Sequence, residues 1–256
     1  MAEPGVLDRA VHLLKLLATA GKRGLPLTVL SVHTGMANAT VHRLLNQLIT
    51  QGMVVQHESN KRYALGPLVF ELGVAASLAY DPREKSAPFL KQLAEEVGDT
   101  VYLTTRSGID AVCIDRHEGP SPIRVLTLDV GSRRPLGLGA GGLAILSYIQ
   151  ELEREELIQR LCSKDETEMN QSSEQLREAI AECRRTGYAW IRHRVNLGVS
   201  AVGVPLLDSL DQPFAAISIA AIDARMQPDR VKALATILQK RARLIRQALL
   251  GPITHH

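Results

Sequence analysis

With 256 residues, 45% of them hydrophobic and 4% aromatic, the chain is long enough for two domains and too apolar to stay disordered. Its 30 Lys and Arg against 27 Asp and Glu leave a formal charge of +3, which names no partner by its sum. Position is more telling, because residues 1–66 hold seven basic against three acidic side chains (+4) and the remainder 23 against 24 (−1). That split suggests a basic N-terminal module joined to a larger, near-neutral one.

The three cysteines, Cys113, Cys162 and Cys183, are odd in number and far apart with no CxxC pair, so neither a disulfide framework nor a zinc knuckle is indicated. We therefore expect a reducing, cytoplasmic setting with no metal and no cofactor. Glu3 and Asp8 stand where an export signal would be basic and apolar, and the longest run free of charged residues and histidine, Pro135 to Gln150, is broken by four glycines. Neither export nor membrane insertion is expected.

In chain order, Val6, Ala10, Leu13, Leu14 and Leu17 share one helical face, predicting a first helix over 7–20 that ends in a turn between Gly21 and Gly24. Thr28 is read as the cap of a short second helix with Val29, Leu30 and Val32 inward, stopping at Gly35. Asn38 is read as the cap of a third. Its Val41, Leu44, Leu45 and Leu48 follow the i, i+3, i+4, i+7 pattern and leave Ala39, His42, Arg43, Asn46 and Thr50 outward. After Gly52 the period changes: Met53–Val55 and Arg62–Leu65 are strand-like runs around a polar tip, as in a hairpin. Three helices and a hairpin predict a winged helix-turn-helix over residues 1–66.

A weakly charged helix is predicted over 67–80, with Leu68, Val69, Leu72, Ala76 and Ala79 apolar, ending before Asp81-Pro82. It reads as an interdomain linker (67–82) whose apolar surface needs a second chain. The rest, 83–256, predicts an α+β domain: a helix over 83–97, strands over 100–106, 111–116 and 123–128, and a glycine-rich turn feeding a helix by 149. Amphipathic helices over 152–162 and 173–186, strands over 188–193, 200–207 and 215–221, and a basic helix over 229–249 follow.

A helix fits the major groove of duplex DNA, where each base pair shows a distinct pattern of donors, acceptors and methyl groups. On the third helix, Arg43 suits a guanine edge or a phosphate and Asn46 an adenine. Asn38, Ala39, Thr40 and His42 lie near the helix start, which meets the bases. Thr28 and Ser31 suit phosphate, and Lys61 and Arg62 at the hairpin suit backbone or minor-groove contact. The competing reading is a small dimerising bundle with Arg43 and Lys61 merely solvated. The conjunction of helix, Gly35, polar-faced helix and basic hairpin favours DNA.

Thr34-Gly35-Met36, Thr40-Val41-His42-Arg43-Leu44-Leu45, Leu48, Gly52 and Arg62-Tyr63-Ala64-Leu65-Gly66 resemble the IclR family of bacterial transcriptional regulators. In the second domain the likeness continues through Gly131-Ser132-Arg133-Arg134-Pro135-Leu136, Gly142, Ala144, Gly187-Tyr188, Gly198, Pro205 and Phe214-Ala215-Ala216-Ile217-Ser218. The resemblance implies a winged helix that binds double-stranded operator DNA, a GAF-like domain that binds a small organic acid, and a homodimer or dimer of dimers, the homotetramer. It implies repression or activation of catabolic genes without saying which.

The run Gly137-Leu138-Gly139-Ala140-Gly141-Gly142 offers free backbone N–H groups to a carboxylate, or else is a turn too closely packed for side chains; the resemblance favours the first, at Gly139, Ala140 and Gly141. Where some relatives carry an acid, a thiol and a second hydroxyl, this chain has Ile191, Ala201 and Ala220, and it keeps Ser218. Fewer polar partners predict an effector with an aromatic or other apolar body. Arg192 and His193 either join the pocket or face solvent. An enzyme reading on Cys113, Asp115 and His117, which alternate onto one strand face, lacks an assured triad geometry. A ligand-binding oligomeric module without DNA binding is the other alternative.

Overall fold

The structure is a computed structural model that describes residues 5–20, 23–77, 82–162 and 171–250. The chain divides into two compact units, residues 1–81 and 82–256. The predicted end of the linker helix at 78–80, including Ala79, and Gly21 lie outside the described residues.

The first unit contains α1 (Val6–Ala20), α2 (Leu27–Thr34), α3 (Asn38–Thr50), an antiparallel hairpin of β1 (Val54–Gln56) and β2 (Tyr63–Leu65), and α4 (Pro67–Ser77). The period-3.6 pattern is realised as one core. Leu13 and Leu17 of α1, Leu30 of α2, and Val41, Leu44, Leu45 and Leu48 of α3 pack together with Val54 and Tyr63 of the hairpin. Gly35 ends α2 with φ 65°, a left-handed conformation that turns the chain sharply into α3. Residues 67–77 belong to the first unit, and Leu68 N–H donates to Gly52 O at 3.2 Å, seating the start of α4 on the hairpin base.

Local details differ from the sequence reading. Pro26 and Ala37 occupy the cap positions of α2 and α3 without side-chain capping bonds, so Thr28 and Asn38 lie inside the helices. Val32, expected inward, is 79% exposed, because an eight-residue helix crossing the bundle buries only Leu30 and half-buries Val29.

The second unit is built on a six-stranded antiparallel sheet in the order β5-β4-β3-β8-β7-β6. Its elements are α5 (Pro82–Val97), β3 (Thr100–Ser107), β4 (Asp110–His117), β5 (Arg133–Pro135), α6 (Ala140–Tyr148), α7 (Glu151–Cys162), α8 (Ser173–Thr186), β6 (Ala189–Arg192), β7 (Val199–Leu207), β8 (Pro213–Ile222) and α9 (Pro228–Leu250). Strand alternation sorts the core into two layers. Val101, Leu103, Val202, Val204, Ile217 and Ile219 face α5 and α9, whereas Ala111, Ala189, Ile191 and Ala216 face α6, α7 and α8.

The β-branched run at 123–128 forms no strand. The outer edge of β4 is occupied by β5 and by the 131–132 turn: Cys113 N–H donates to Ser132 O at 3.0 Å, and Cys113 O accepts from Gly131 N–H at 2.8 Å. The run therefore has no ladder to join. Instead Val125 turns its side chain into a small cluster with Tyr102, Cys113 and Ala220.

Where α6 crosses β7, the backbones are almost in contact. A Cβ on Gly203 would stand 2.9 Å from both the carbonyl carbon and oxygen of Ala140. Gly203→Ala is expected to destabilise the second unit by about 1–3 kcal/mol through overpacking. Urea unfolding followed by fluorescence of Trp190, the single tryptophan, reads the loss; a change below about 0.5 kcal/mol, the range of an inert surface substitution, would show that α6 shifts freely.

Candidate ligand cavity and DNA-reading surface

In the first unit, the outward row of α3 is laid out as its period requires. Asn38, Ala39, His42, Arg43, Asn46 and Gln47 are exposed, Thr40 is half-buried, and Asn46 Nδ2 lies 3.4 Å from His42 Nδ1. No salt bridge engages Arg43 among the described residues, so its guanidinium stands ready for an anionic or guanine partner. Thr28 is exposed as well. Ser31 is different: its hydroxyl donates to Met36 O at 2.5 Å, which spends its one proton on holding the turn before α3. As a partner for phosphate oxygen it has no proton left to give.

The hairpin separates its two cations. Lys61 is exposed at the tip with φ 55°, its N–H bonded to His57 O at 2.9 Å. Arg62 is half-buried, and its Nε donates to Gly24 O at 3.1 Å, which ties the hairpin to the chain entering α2. Gln47, on the same exposed face as Arg43, was not singled out from sequence, although its position four residues after Arg43 is the signal for it.

In the second unit, a cavity with about 610 Å³ of empty space, partly continuous with solvent, lies between the start of α6 and the sheet. Gly139, Ala140, Gly141, Ile191, Ala201, Ser218 and Ala220 all line it. The register explains their meeting: Ile191 pairs with Ala201, Ala201 with Ala220, and Tyr102 with Ser218, so one face of four strands supplies one wall. Arg192 follows Ile191 on the opposite face. It is exposed, with its guanidinium carbon 5.2 Å from the centre of the Trp190 ring, and takes no part in the cavity wall. His193 also stays outside, its Nδ1 lying 3.0 Å from Asp223 Oδ2. Period-two alternation from Ile191 would have placed Arg192 outward from sequence.

The glycine run is closely packed, and it also opens a helix. A Cβ on Gly141 would lie 3.0 Å from Thr104 Oγ1 and 3.6 Å from Ser218 Oγ, so α6 packs tightly on the sheet there. The first intrahelical bond runs from Leu143 N–H to Gly139 O at 2.8 Å, which leaves the amides of residues 140–142 at the positive end of the helix, on the cavity side.

Sequence reasoning missed Tyr102, Thr104 and Arg134 among the lining residues. Arg134 sits on β5 between Arg133 and Pro135, and a run of two arginines resembles a solvated charge pair. Alternation instead sends Arg133 to Asp110, 3.3 Å away, and turns Arg134 inward, where burial pushes its pKa below the usual guanidinium value.

Cys113 does not behave as a nucleophile. It is 1% exposed, burial pushes its thiol up to about 11, and Sγ donates to the backbone oxygen of Asp115 at 3.4 Å, while His117 Nε2 lies 3.0 Å from Asp115 Oδ2. Among the described residues, no cluster of three or more His, Cys, Asp or Glu side chains is placed to hold a metal, and no helix is long and apolar enough to cross a membrane.

A winged helix with a polar exposed α3 face, followed by a unit with a cavity, is the architecture of a DNA-binding regulator. The family descriptions agree: the IclR helix-turn-helix domain matches residues 6–58, and the bacterial transcriptional regulator IclR C-terminal domain matches residues 76–247. The chain belongs to the IclR family of bacterial transcriptional regulators.

It is 30% identical over 212 residues to the HTH-type transcriptional regulator KipR of Bacillus subtilis, covering 82% of this chain and 84% of that protein. It is also 28% identical over 248 residues to the transcriptional repressor IclR of Escherichia coli, covering 96% and 90%. An IclR-type regulator from Silicibacter sp. TM1040 superposes with TM-score 0.82 at 25% identity over 97% of each chain. An IclR homologue from Microbacterium hydrocarbonoxydans, solved with 4-hydroxybenzoate, shares the fold with TM-score 0.71 at 20% identity, covering 96% of this chain and 99% of that one. These relatives are regulators of transcription, and this chain is a DNA-binding transcriptional regulator rather than an enzyme.

Proposed function

We propose that the second unit binds a small organic acid with an aromatic or other apolar body, and that its binding changes how tightly the first unit holds an operator. The observation that carries this reading is the cavity at the start of α6. Its walls are apolar at Ala111, Ile191, Ala201 and Ala220, and its polar side chains are Tyr102, Thr104, Thr127, Arg134, Ser200 and Ser218, beside the backbone amides of residues 140–142. The homologue solved with 4-hydroxybenzoate supports an acid of this size in this fold.

On the DNA side, Arg43 and Asn46 read base edges, with Ala39 and His42 beside them. Asn38, Thr40, Thr28, Lys61 and Arg62 position the unit on phosphates, while Ser31 supports the turn. The protein acts in the cytoplasm as a dimer or dimer of dimers. Phe70, Leu72 and Val74 of α4, exposed by 73%, 50% and 47%, supply an apolar surface for a second chain. An effector that prefers one dimer geometry would then alter half-site spacing.

The test is a thermal-shift screen of aromatic and aliphatic acids against the full chain, followed by operator titration with each hit. At a hundred times its dissociation constant, an effector adds about 2.7 kcal/mol. For a unit of this size that is a rise of roughly 5–10 °C. Operator affinity should change by about 5- to 150-fold. Stabilisation only by neutral molecules, or hits that leave operator affinity unchanged, would overturn the reading.

A further inference from the structure

Arg134 combines three properties that no other residue of the cavity shares. Its side chain enters the cavity wall; no carboxylate among the described residues lies within ion-pair distance; and its Nη2 donates to the carbonyl oxygen of Thr127. Arg133, one residue earlier, has Asp110, and Arg116 on β4 has both Asp129 and Glu118. A half-buried guanidinium facing only a neutral carbonyl is under-compensated, and a bond to an ionised acceptor is roughly twice as strong as one to a neutral acceptor.

The segment it holds is unusual too. Among the described residues, the backbone between residues 124 and 128 makes no hydrogen bond to another backbone segment. Side chains hold it instead: Tyr102 OH donates to Val125 O at 2.6 Å and accepts from Thr127 N–H at 3.3 Å, Arg116 Nη1 donates to Leu128 O at 3.1 Å, and Arg134 donates to Thr127 O. Two of those three side chains, Tyr102 and Arg134, line the cavity. Thr127 and Leu128 line it as well, while Ile123, Leu126 and Val130 are 56%, 51% and 54% exposed on the outer side.

We propose that Arg134 is the counter-charge that makes this cavity selective for carboxylates over neutral molecules of the same shape, and that it passes occupancy to the 123–130 segment. The inference rests on the acid-binding reading above and adds the residue responsible. A guanidinium has five N–H donors, so one carboxylate can pair with it while Nη2 keeps the Thr127 carbonyl. The bound acid then bridges the cavity to the segment and tightens it. Thr104 and Ser218, whose hydroxyls have no hydrogen-bond partner among the described residues, serve a polar substituent elsewhere on the ligand.

The experiment is calorimetry on the full chain with benzoate, 4-hydroxybenzoate and hexanoate, each beside its amide. It is repeated in Arg134→Met and in Arg134→Gln, which keeps a donor for Thr127 O without the charge. Wild type should prefer acid to amide by roughly 10- to 100-fold, the ratio expected for one charged hydrogen-bonding pair, and both variants should lose that preference. Hydrogen exchange of amides 123–130 should slow when acid is added to wild type and not in Arg134→Gln, a readout that a purely structural role would leave unmoved. If both variants keep the preference, the carboxylate is held elsewhere, as by the α6 amides; the Arg134 assignment then fails while the acid-binding reading stands. If wild type binds amides as well as acids, or binds none of the six probes, both fail together.

Discussion

Replacing Asp99 with alanine is expected to remove about 3–5 kcal/mol from the stability of the second unit, the loss typical of breaking a buried ion pair from one side. Asp99 opens the sheet just before β3, and its carboxylate is 1% exposed. Oδ1 accepts from Arg225 Nε at 2.8 Å, and Oδ2 accepts from Arg225 Nη2 at 3.2 Å and Arg230 Nη2 at 2.6 Å. Arg230 also donates to Val97 O at 2.9 Å and Arg225 O at 2.8 Å, so this knot fastens the end of α5, the start of β3, the turn after β8 and the start of α9 to one another. Alanine leaves two guanidiniums facing each other without the anion between them. The expected fall in midpoint is roughly 6–20 °C, read from Trp190 fluorescence in thermal unfolding. Asp99→Asn, which keeps an acceptor without the charge, should fall less. A loss below about 1 kcal/mol for Asp99→Ala would mean that the pair is only a surface ornament.

The second large effect is on DNA. Arg43→Ala is expected to weaken operator binding by about 1–3 kcal/mol and to relax sequence preference, because a bidentate arginine on a base discriminates by that much. Lys61→Ala should behave differently. An exposed cation at the hairpin tip pairs with phosphate, so its loss weakens all sequences alike and lowers the slope of log affinity against log salt by about one. Titrations on operator and random DNA at three salt concentrations separate the two. Equal losses on both DNAs for Arg43→Ala would make Arg43 a phosphate contact instead of a base reader.

The sequence was most legible where one periodicity was satisfied by one core. Val41, Leu44, Leu45 and Leu48 bury themselves, which obliges His42, Arg43 and Asn46 to point outward, so the reading face follows from the apolar one. The cavity was partly legible because a glycine run before an apolar helix marks a close approach. Ile191, Ala201 and Ala220 then meet by strand pairing.

What escaped was set by tertiary competition. Ile123–Leu128 has strand-like composition, but β5 and the 131–132 turn already hold the β4 edge, so side chains of Tyr102, Arg116 and Arg134 fix the segment instead. Arg134 stands beside Arg133 with no apolar pattern to mark it, and only the short strand β5 sets the alternation that turns it into the cavity wall. Thr28 and Asn38 have cap-forming side chains, yet Pro26 and Ala37 hold the cap positions, so α2 has already begun at Leu27 and α3 begins at Asn38.

The exposed face of α3 is expected to meet base edges in the major groove. Dimethyl sulfate footprinting on a duplex site selected by the protein from random-sequence DNA tests it, since the reagent marks guanine N7 in the major groove and adenine N3 in the minor. Wild type should protect guanine N7 positions in two half-sites on one side of the duplex, and Arg43→Ala with Asn46→Ala should lose that protection before it loses binding to random DNA. Tight, sequence-selective binding that leaves every guanine N7 reactive, or that is indifferent to both substitutions, would contradict the account.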